Sequence, residues 1–280
     1  MRAIDNRAIR AAGATRFRTE YDYAVFEYLR SAKVIEAIER AGVRIAGRVL
    51  DAGCGGGGTV LSLAEESRFA VGLDIEPRFE QAGTRLGAEK AIRNASFLRG
   101  DAATLPFRDG CFDLVLSHSV IEHLPSAVGY LRECHRVLRP GGFLYLSTAP
   151  YLSMAGAHLP RLRLPLPLHI LLGRPLAFAS FRWLAKSAPW TLKEPLESNT
   201  FISLAAQGRD KQDDLLQRVT VRRLGRWLAA TKFECIRQEH HVSGHFRRLL
   251  PVVIRRGLER LPWVQDVMVG HIQCVLRKRS

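Results

Sequence analysis

Apolar residues fall at two alternating periods along the first half of the chain. Between residues 16 and 42, Val25, Tyr28, Leu29, Ile35 and Ile38 keep helical spacing, and Gly42 ends the run. Arg48-Val49-Leu50 then leads as a short strand into a glycine cluster, Gly53 to Gly58, followed by a helical stretch to about Ser67. Phe69 to Leu73 reads as a second strand, and a helix follows from about Pro77 to Lys90. A third strand, Ala95 to Arg99, stops at Gly100-Asp101; a fourth, Phe112 to Leu116, precedes a helix from about Pro125 to Leu138. Pro140-Gly141-Gly142 turns the chain into a fifth strand, Phe143 to Ser147. Short apolar strands alternating with amphipathic helices predict an α/β fold, a parallel sheet with helices on both faces.

After Tyr151 the alternation stops. Residues 151–190 mix prolines with Leu, Phe and Trp and carry five basic residues, Arg161, Arg163, Arg174, Arg182 and Lys186, with no repeat. Periodicity returns at Val219–Ala230, a helix expected to turn Arg222, Arg223 and Arg226 outward. Phe233–Arg237 and His271–Val275 read as strands, a closing antiparallel pair. Leu249–Leu261 between them collects Leu250, Val253, Ile254, Leu258 and Leu261 on one side of a basic amphipathic stretch.

Charge follows the same division. Residues 1–150 hold 20 Lys/Arg against 18 Asp/Glu, and residues 151–280 hold 22 against 9, so nearly all of the net +15 sits in the second half. No acidic residue occurs from Tyr151 to Lys193. An anionic partner would therefore meet the second half. At 280 residues with 47% hydrophobic content, the composition excludes fibrous, disordered and disulfide-scaffold classes. Five cysteines without a CxxC pair, and no charged-then-apolar leader, lead to an expectation of reduced thiols and a cytoplasmic protein. No metal cluster is apparent.

The chemistry concentrates in Asp51-Ala-Gly53-Cys54-Gly55-Gly-Gly57-Gly58, between a strand and a helix. Glycines there let backbone approach a ligand. Their spacing fits both GxGxxG and GxGxG, so it does not choose the ligand. Carboxylates choose it. Asp51 precedes the glycines, Asp74 ends the second strand and Asp101 follows the third. Three carboxylates at the carboxyl ends of adjacent strands would repel a dinucleotide's pyrophosphate and suit a ligand carrying ammonium and sulfonium charges, a ribose diol and an exocyclic amine.

These motifs resemble those of the class I S-adenosylmethionine-dependent methyltransferases, over about residues 48–150. Val49–Gly57 matches the glycine motif and Gly72–Ile75 the second-strand acid. Gly100–Phe107, Phe112–Leu116, Glu122-His123-Leu124 and Arg136–Gly142 follow in the order of the small-molecule branch. The resemblance implies a Rossmann-like seven-stranded, mostly parallel sheet with a lid-like insert after the fifth strand, and S-adenosylmethionine as cofactor. It implies that Gly53, Cys54 and Gly55 approach the methionyl part and that Asp51 helps hold its amino group. Asp74 takes the ribose hydroxyls, Asp101 accepts from the adenine amine beside the Ala102 amide, and Ile75 packs on the base. Ser117 lies where cofactor meets acceptor. The chain then divides into an N-terminal helical cap (1–45), the cofactor core (46–150), a basic acceptor-side insert (151–218) and a C-terminal completion of the sheet (219–280).

Methyl transfer to a hydroxyl needs alignment, exclusion of water and a base. His118, His123 and His158 are the candidate bases, with His169 also in the insert, whereas His135 reads as facing out of its helix. An apolar, acid-free lid with five cations suits a small-molecule or amphiphilic acceptor of lipid or glycan type, methylated at oxygen. The stretch 249–261 adds an expectation of peripheral contact with an anionic membrane. The sequence pI near 10.3 raises nucleic acid as a partner. Against it, Ser117-His-Ser-Val120 stands where nucleic-acid amino-methylating enzymes carry a Pro-Pro-aromatic motif. An RNA methyltransferase and a non-catalytic cofactor-binding partner protein are the alternatives.

Overall fold

The computed structural model describes residues 4–16, 18–76, 78–153, 162–163, 168–192, 217–258 and 261–279. Two compact units form: Met1–Ser147 with Trp227–Gln238 and Cys274–Ser280, and Thr148–Arg226 with Glu239–Gln273.

The first unit opens with two helices, where the sequence pattern shows one. In α1 (Asn6–Thr15) the Asp5 side chain accepts from the Arg7 and Ala8 amides at 2.9 and 3.0 Å. In α2 (Glu20–Arg40) Thr19 caps the Asp22 amide, acids Glu20 and Asp22 fill the first turn and Arg40 the last, all favourable to the helix dipole. The buried face of α2 carries Ala24, Tyr28, Ala32, Ile35 and Ile38.

Strands β1 (Arg48–Ala52), β2 (Phe69–Asp74), β3 (Ala95–Arg99), β4 (Phe112–His118) and β5 (Leu138–Thr148) alternate with helices α3 (Gly58–Ala64), α4 (Arg78–Glu89) and α5 (Ala127–Val137). The seven-stranded order is β3-β2-β1-β4-β5-β7-β6, with β6 at Phe233–Val242 and β7 at Val269–Lys278. β1 pairs in parallel with β2 and with β4, so the order reverses beside β1 and a crevice opens at the carboxyl ends of these strands. His241 meets Gln273 at 2.9 Å and a Cβ on Gly270 would meet Ser243, a pairing that descends along β7 as β6 ascends; this is the antiparallel closing pair. Val49, Leu50, Leu63, Leu116, Ile38 and Tyr145 are fully buried, and Val275 of β7 joins the same core.

Two expectations need correction here. Pro140-Gly141-Gly142 lies inside β5 rather than before it, and the irregularity appears as a register shift against β4 between Phe112 and Leu114. His135 does not face out: its ring packs edge-on against Phe233, centroids 5.1 Å apart.

In the second unit the proline-rich stretch hides helices α6 (Leu168–Leu171) and α7 (Arg174–Ser187), which a broken periodicity did not predict. Gly173 precedes α7 at φ +75° and Pro175 sits in its first turn, where a missing N–H costs nothing. Ala177, Phe181 and Leu192 form a small core there. The helix Val221–Ala229 exposes Arg222 and Arg226, and Asp266 accepts from the Val221 amide at 2.7 Å. The amphipathic stretch 249–261 is not one helix: Gly244–Leu249, Val252–Leu258 and Pro262–Met268 are separate, broken at Leu250-Pro251 and again before Pro262.

Candidate cofactor site

The glycine loop is built against α2. A Cβ on Gly58 would lie 1.9 Å from the Ala24 carbonyl oxygen, and one on Gly56 would lie 2.9 Å from the Ala24 amide, so only hydrogen permits this approach. Gly53 takes φ +83°, and a Cβ there would lie 2.3 Å from Val120. The Gly53 and Cys54 amides both donate to the Leu73 carbonyl, at 2.7 and 3.0 Å, which ties the loop to the end of β2. Phe97 wedges against Gly57 and Gly83.

Asp74 completes this loop. One carboxylate oxygen accepts from the Gly55 amide at 2.8 Å and the other from the Glu76 amide at 2.9 Å. A carboxylate oxygen has two acceptor sites, so both remain able to take a diol. The cleft alongside is lined by Cys54, Gly55, Asp74, Glu76, Phe97, Leu98 and Arg99. Ile75 stands 59% exposed next to it.

Three side chains on α2 face the loop from the other side, and sequence reasoning missed them. Tyr23, Glu27 and Arg30 stand at i, i+4 and i+7, one face of a helix. Polar residues at that spacing on an otherwise buried face were the readable signal. The Gly58 amide and the Tyr23 hydroxyl both hydrogen-bond the Glu27 carboxyl, whose pKa burial pushes up to about 8, with Asp51 adding to the rise and Arg30 opposing it. Asp51, 3% exposed, is pushed up to about 8 in the same way, by burial and by Asp74, again against Arg30. Asp51 Oδ1 and Glu27 Oε2 are buried and meet no hydrogen-bond partner among the described residues. Three carboxyls thus crowd together with one guanidinium, which acts on Glu27 and Asp51, and burial favours the protonated form of both until a cation arrives.

Arg30 also donates to His118 Nε2 at 2.9 Å. A guanidinium can only donate, so that nitrogen is the acceptor and a neutral ring carries its proton on Nδ1. The contact ties the end of β4 to the Arg30 side of α2. His123 is half-buried in the short 3-10 turn Ile121–His123 beside buried Glu122. Ser117 is fully buried within β4, and Ala102 is 7% exposed. Asp101 is exposed and caps the Ala103 amide at 2.8 Å, which orients its loop. His158 lies outside the described residues. His169 is buried in α6, its Nε2 3.4 Å from the Leu152 carbonyl. Among the described residues no cluster of His, Cys, Asp or Glu could hold a metal ion.

The loop that carries Asp101 is stapled from α5. Arg136 donates to the carbonyls of Leu105 and Phe107 at 2.8 and 2.7 Å, to Asp109 at 2.9 Å and to both oxygens of Glu133, while the Leu105 amide donates to Glu133.

Residues 50–146 match the family described as "Methyltransferase domain". The chain is 33% identical over 133 residues to the uncharacterized methyltransferase YcgJ of Bacillus subtilis, covering 46% of this chain and 53% of that protein. The crystal structure of YcgJ superposes over 90% of this chain and 99% of its own with a TM-score of 0.51 at 16% identity, a likeness of fold. Tocopherol O-methyltransferase of Arabidopsis thaliana is 36% identical over 126 residues, 44% of this chain and 35% of the relative. A ubiquinone biosynthesis O-methyltransferase of Xanthomonas oryzae pv. oryzae is 33% identical over 101 residues, 36% and 42% of the two. The chain therefore spans about half or less of the length of these relatives. Over residues 50–146, about a third of its length, the chain is similar to the class I S-adenosylmethionine-dependent methyltransferases.

Proposed function

We propose that the protein binds S-adenosylmethionine at this site and transfers its methyl group to an oxygen of a small or amphiphilic acceptor. The observation that carries the reading is the crowding of Glu27, Asp51 and Asp74 in a pocket with one guanidinium, where buried carboxyl oxygens of Glu27 and Asp51 have no hydrogen-bond partner among the described residues and can exchange a proton for a bound cation. A pyrophosphate would add charge of the wrong sign to this pocket, and an ammonium with a neighbouring sulfonium supplies that cation. When bound, the cofactor supplies a methyl group activated by its sulfonium. Asp51 and Glu27 would hold the ammonium with their unpartnered oxygens, and Arg30, fixed by His118, would meet the carboxylate. Asp74 would take the ribose diol while keeping the loop amides. Asp101 with the Ala102 amide would read the adenine, Ile75 would pack on the base, and Cys54 closes the floor with its thiol buried.

Oxygen as the accepting atom is supported by the two relatives named as O-methyltransferases, which match over the cofactor half. An amphiphilic acceptor is supported by the composition of the second unit, where Leu171, Leu176 and Trp183 are exposed in an acid-free stretch with Lys186. His123 is the candidate base, because Nε2 of His118 is already taken by Arg30.

Calorimetric titration with S-adenosylhomocysteine, and separately with NADH, tests the cofactor. Binding of the first alone is expected, and binding of NADH alone overturns the reading. Release of S-adenosylhomocysteine on incubation with lipid extract then tests transfer. Turnover lost in His123→Asn but retained with a raised KM for cofactor in His118→Asn is the expected split.

A further inference from the structure

Eleven of the fifteen large apolar residues that are exposed among the described residues lie in the second unit. Five of them fall within twelve positions: Val252 at 50%, Val253 at 83%, Ile254 at 53%, Leu261 at 45% and Trp263 at 69% exposure. The short helix Val252–Leu258 that carries three of them begins after Pro251, and exposed Arg247 and Arg248 stand just before it. In sequence Arg255 and Arg256 follow directly, and Glu259 is the one acidic residue from His240 to Trp263.

We propose that the exposed Arg247, Arg248, Val252, Val253, Ile254 and Trp263 form a docking surface for an anionic lipid bilayer. The spacing of the exposed residues argues for a fluid occupant. Successive helical residues turn by about 100°, so Val252, Val253 and Ile254 together sweep about 200° of the helix surface. One face of a folded protein covers a stripe at i, i+3 and i+4, not three successive positions. Acyl chains and headgroups can surround all three. Trp263 has the amphipathic ring that seats at the headgroup boundary, and the exposed Arg247 and Arg248 before the apolar triplet match anionic phosphates. A second copy of this chain is the poorer occupant. A two-fold contact would lay one cationic surface carrying Arg247 and Arg248 against another of the same sign. The inference stands apart from the methyl-transfer reading and is tested without cofactor.

The full chain is floated with vesicles of phosphatidylcholine alone and of phosphatidylcholine with one part in four phosphatidylglycerol, at about 0.1 M salt, where surface charges act over about one nanometre. Binding at least about tenfold tighter to the anionic vesicles is expected, falling about tenfold in Arg247→Glu/Arg248→Glu. Val253→Asp and Trp263→Ser, both at exposed positions, should each weaken it about fivefold while leaving the melting temperature unchanged. No flotation overturns the proposal. So does flotation that ignores Val253→Asp and Trp263→Ser and is matched by equal binding to RNA, because the net charge alone would then be acting. A dimer in solution that Val253→Asp dissolves, without vesicle binding, assigns the surface to a second copy instead.

Discussion

Asp51 and Glu27 are carboxyls kept protonated by their surroundings, and their pKa values near 8 make the pocket a proton reservoir. A folded pKa raised above the unfolded one means that the native state holds more protons between about pH 4 and pH 8. Stability of the ligand-free protein should therefore decline as pH rises through that window. A cationic ligand reverses the preference, so protons leave as it binds. Titration with S-adenosylmethionine in buffers of different ionisation enthalpy at pH 7 should register proton release, and affinity should rise up to about pH 8. Asp51→Asn should abolish most of the release; an unchanged heat difference between buffers would remove Asp51 from the site. Asp74→Ala removes a charge-assisted contact to ligand and two loop amides together. It should weaken cofactor binding by about 1–3 kcal/mol in the same calorimetry.

Among the elements, the loop between β3 and β4 is held by two side chains of α5, Glu133 and Arg136. Arg136→Leu would leave Glu133 without its cation and the Phe107 carbonyl without its donor, so a loss of about 1–3 kcal/mol in chemical denaturation is expected, with weaker adenine recognition through the displaced Asp101 loop. Asp113 acts on the other end of the sheet. Burial would push its pKa up, but the Arg48 amide at 2.7 Å and the Arg139 guanidinium outweigh it and hold the carboxyl below its usual range. Its contribution is present above pH about 4 and lost as pH falls through the lowered value, the opposite sign to Asp51. Asp113→Asn should flatten the acid limb of a stability profile.

Strands β1, β2, β4 and β5 and the helices between them were legible because parallel strands with buried faces write short apolar runs between helical periods, whereas α1 was missed. The carboxylates Asp51, Asp74 and Asp101 were legible because they sit at strand ends. The α2 face was not, since Tyr23, Glu27 and Arg30 acquire meaning only when Gly58 admits the helix. α7 was hidden because Trp183 and Leu176 stay exposed and blur the amphipathic period.

On the scale of the whole molecule, the two halves differ in what they leave uncovered. The first unit gathers its buried apolar residues into a cluster around Val49, Leu63 and Leu116 and another where α2, α3 and α4 meet, whereas the second displays Trp, Leu and Val beside cations. No helix among the described residues is long and apolar enough to cross a membrane. Salt should separate the two behaviours: cofactor affinity, set by buried groups, should change little between about 0.05 and 0.5 M salt, whereas attachment to anionic surfaces should fall steeply.

The order in which the chain visits the sheet constrains how the protein can be divided. β6 and β7 come from the last fifty residues, yet they follow β5 in the sheet, and β7 reaches back through Lys278 to the Leu138 carbonyl at 2.6 Å. The matched segment 50–146 contains neither of these strands, nor α2. A fragment cut to that segment would present the naked hydrogen-bonding edge of β5 and a glycine loop stripped of its cover. It should pair edge to edge and precipitate rather than fold. What recurs among relatives as a contiguous stretch of sequence is here not a transplantable piece: the termini are its clasp, and a soluble minimal version needs both ends of the chain.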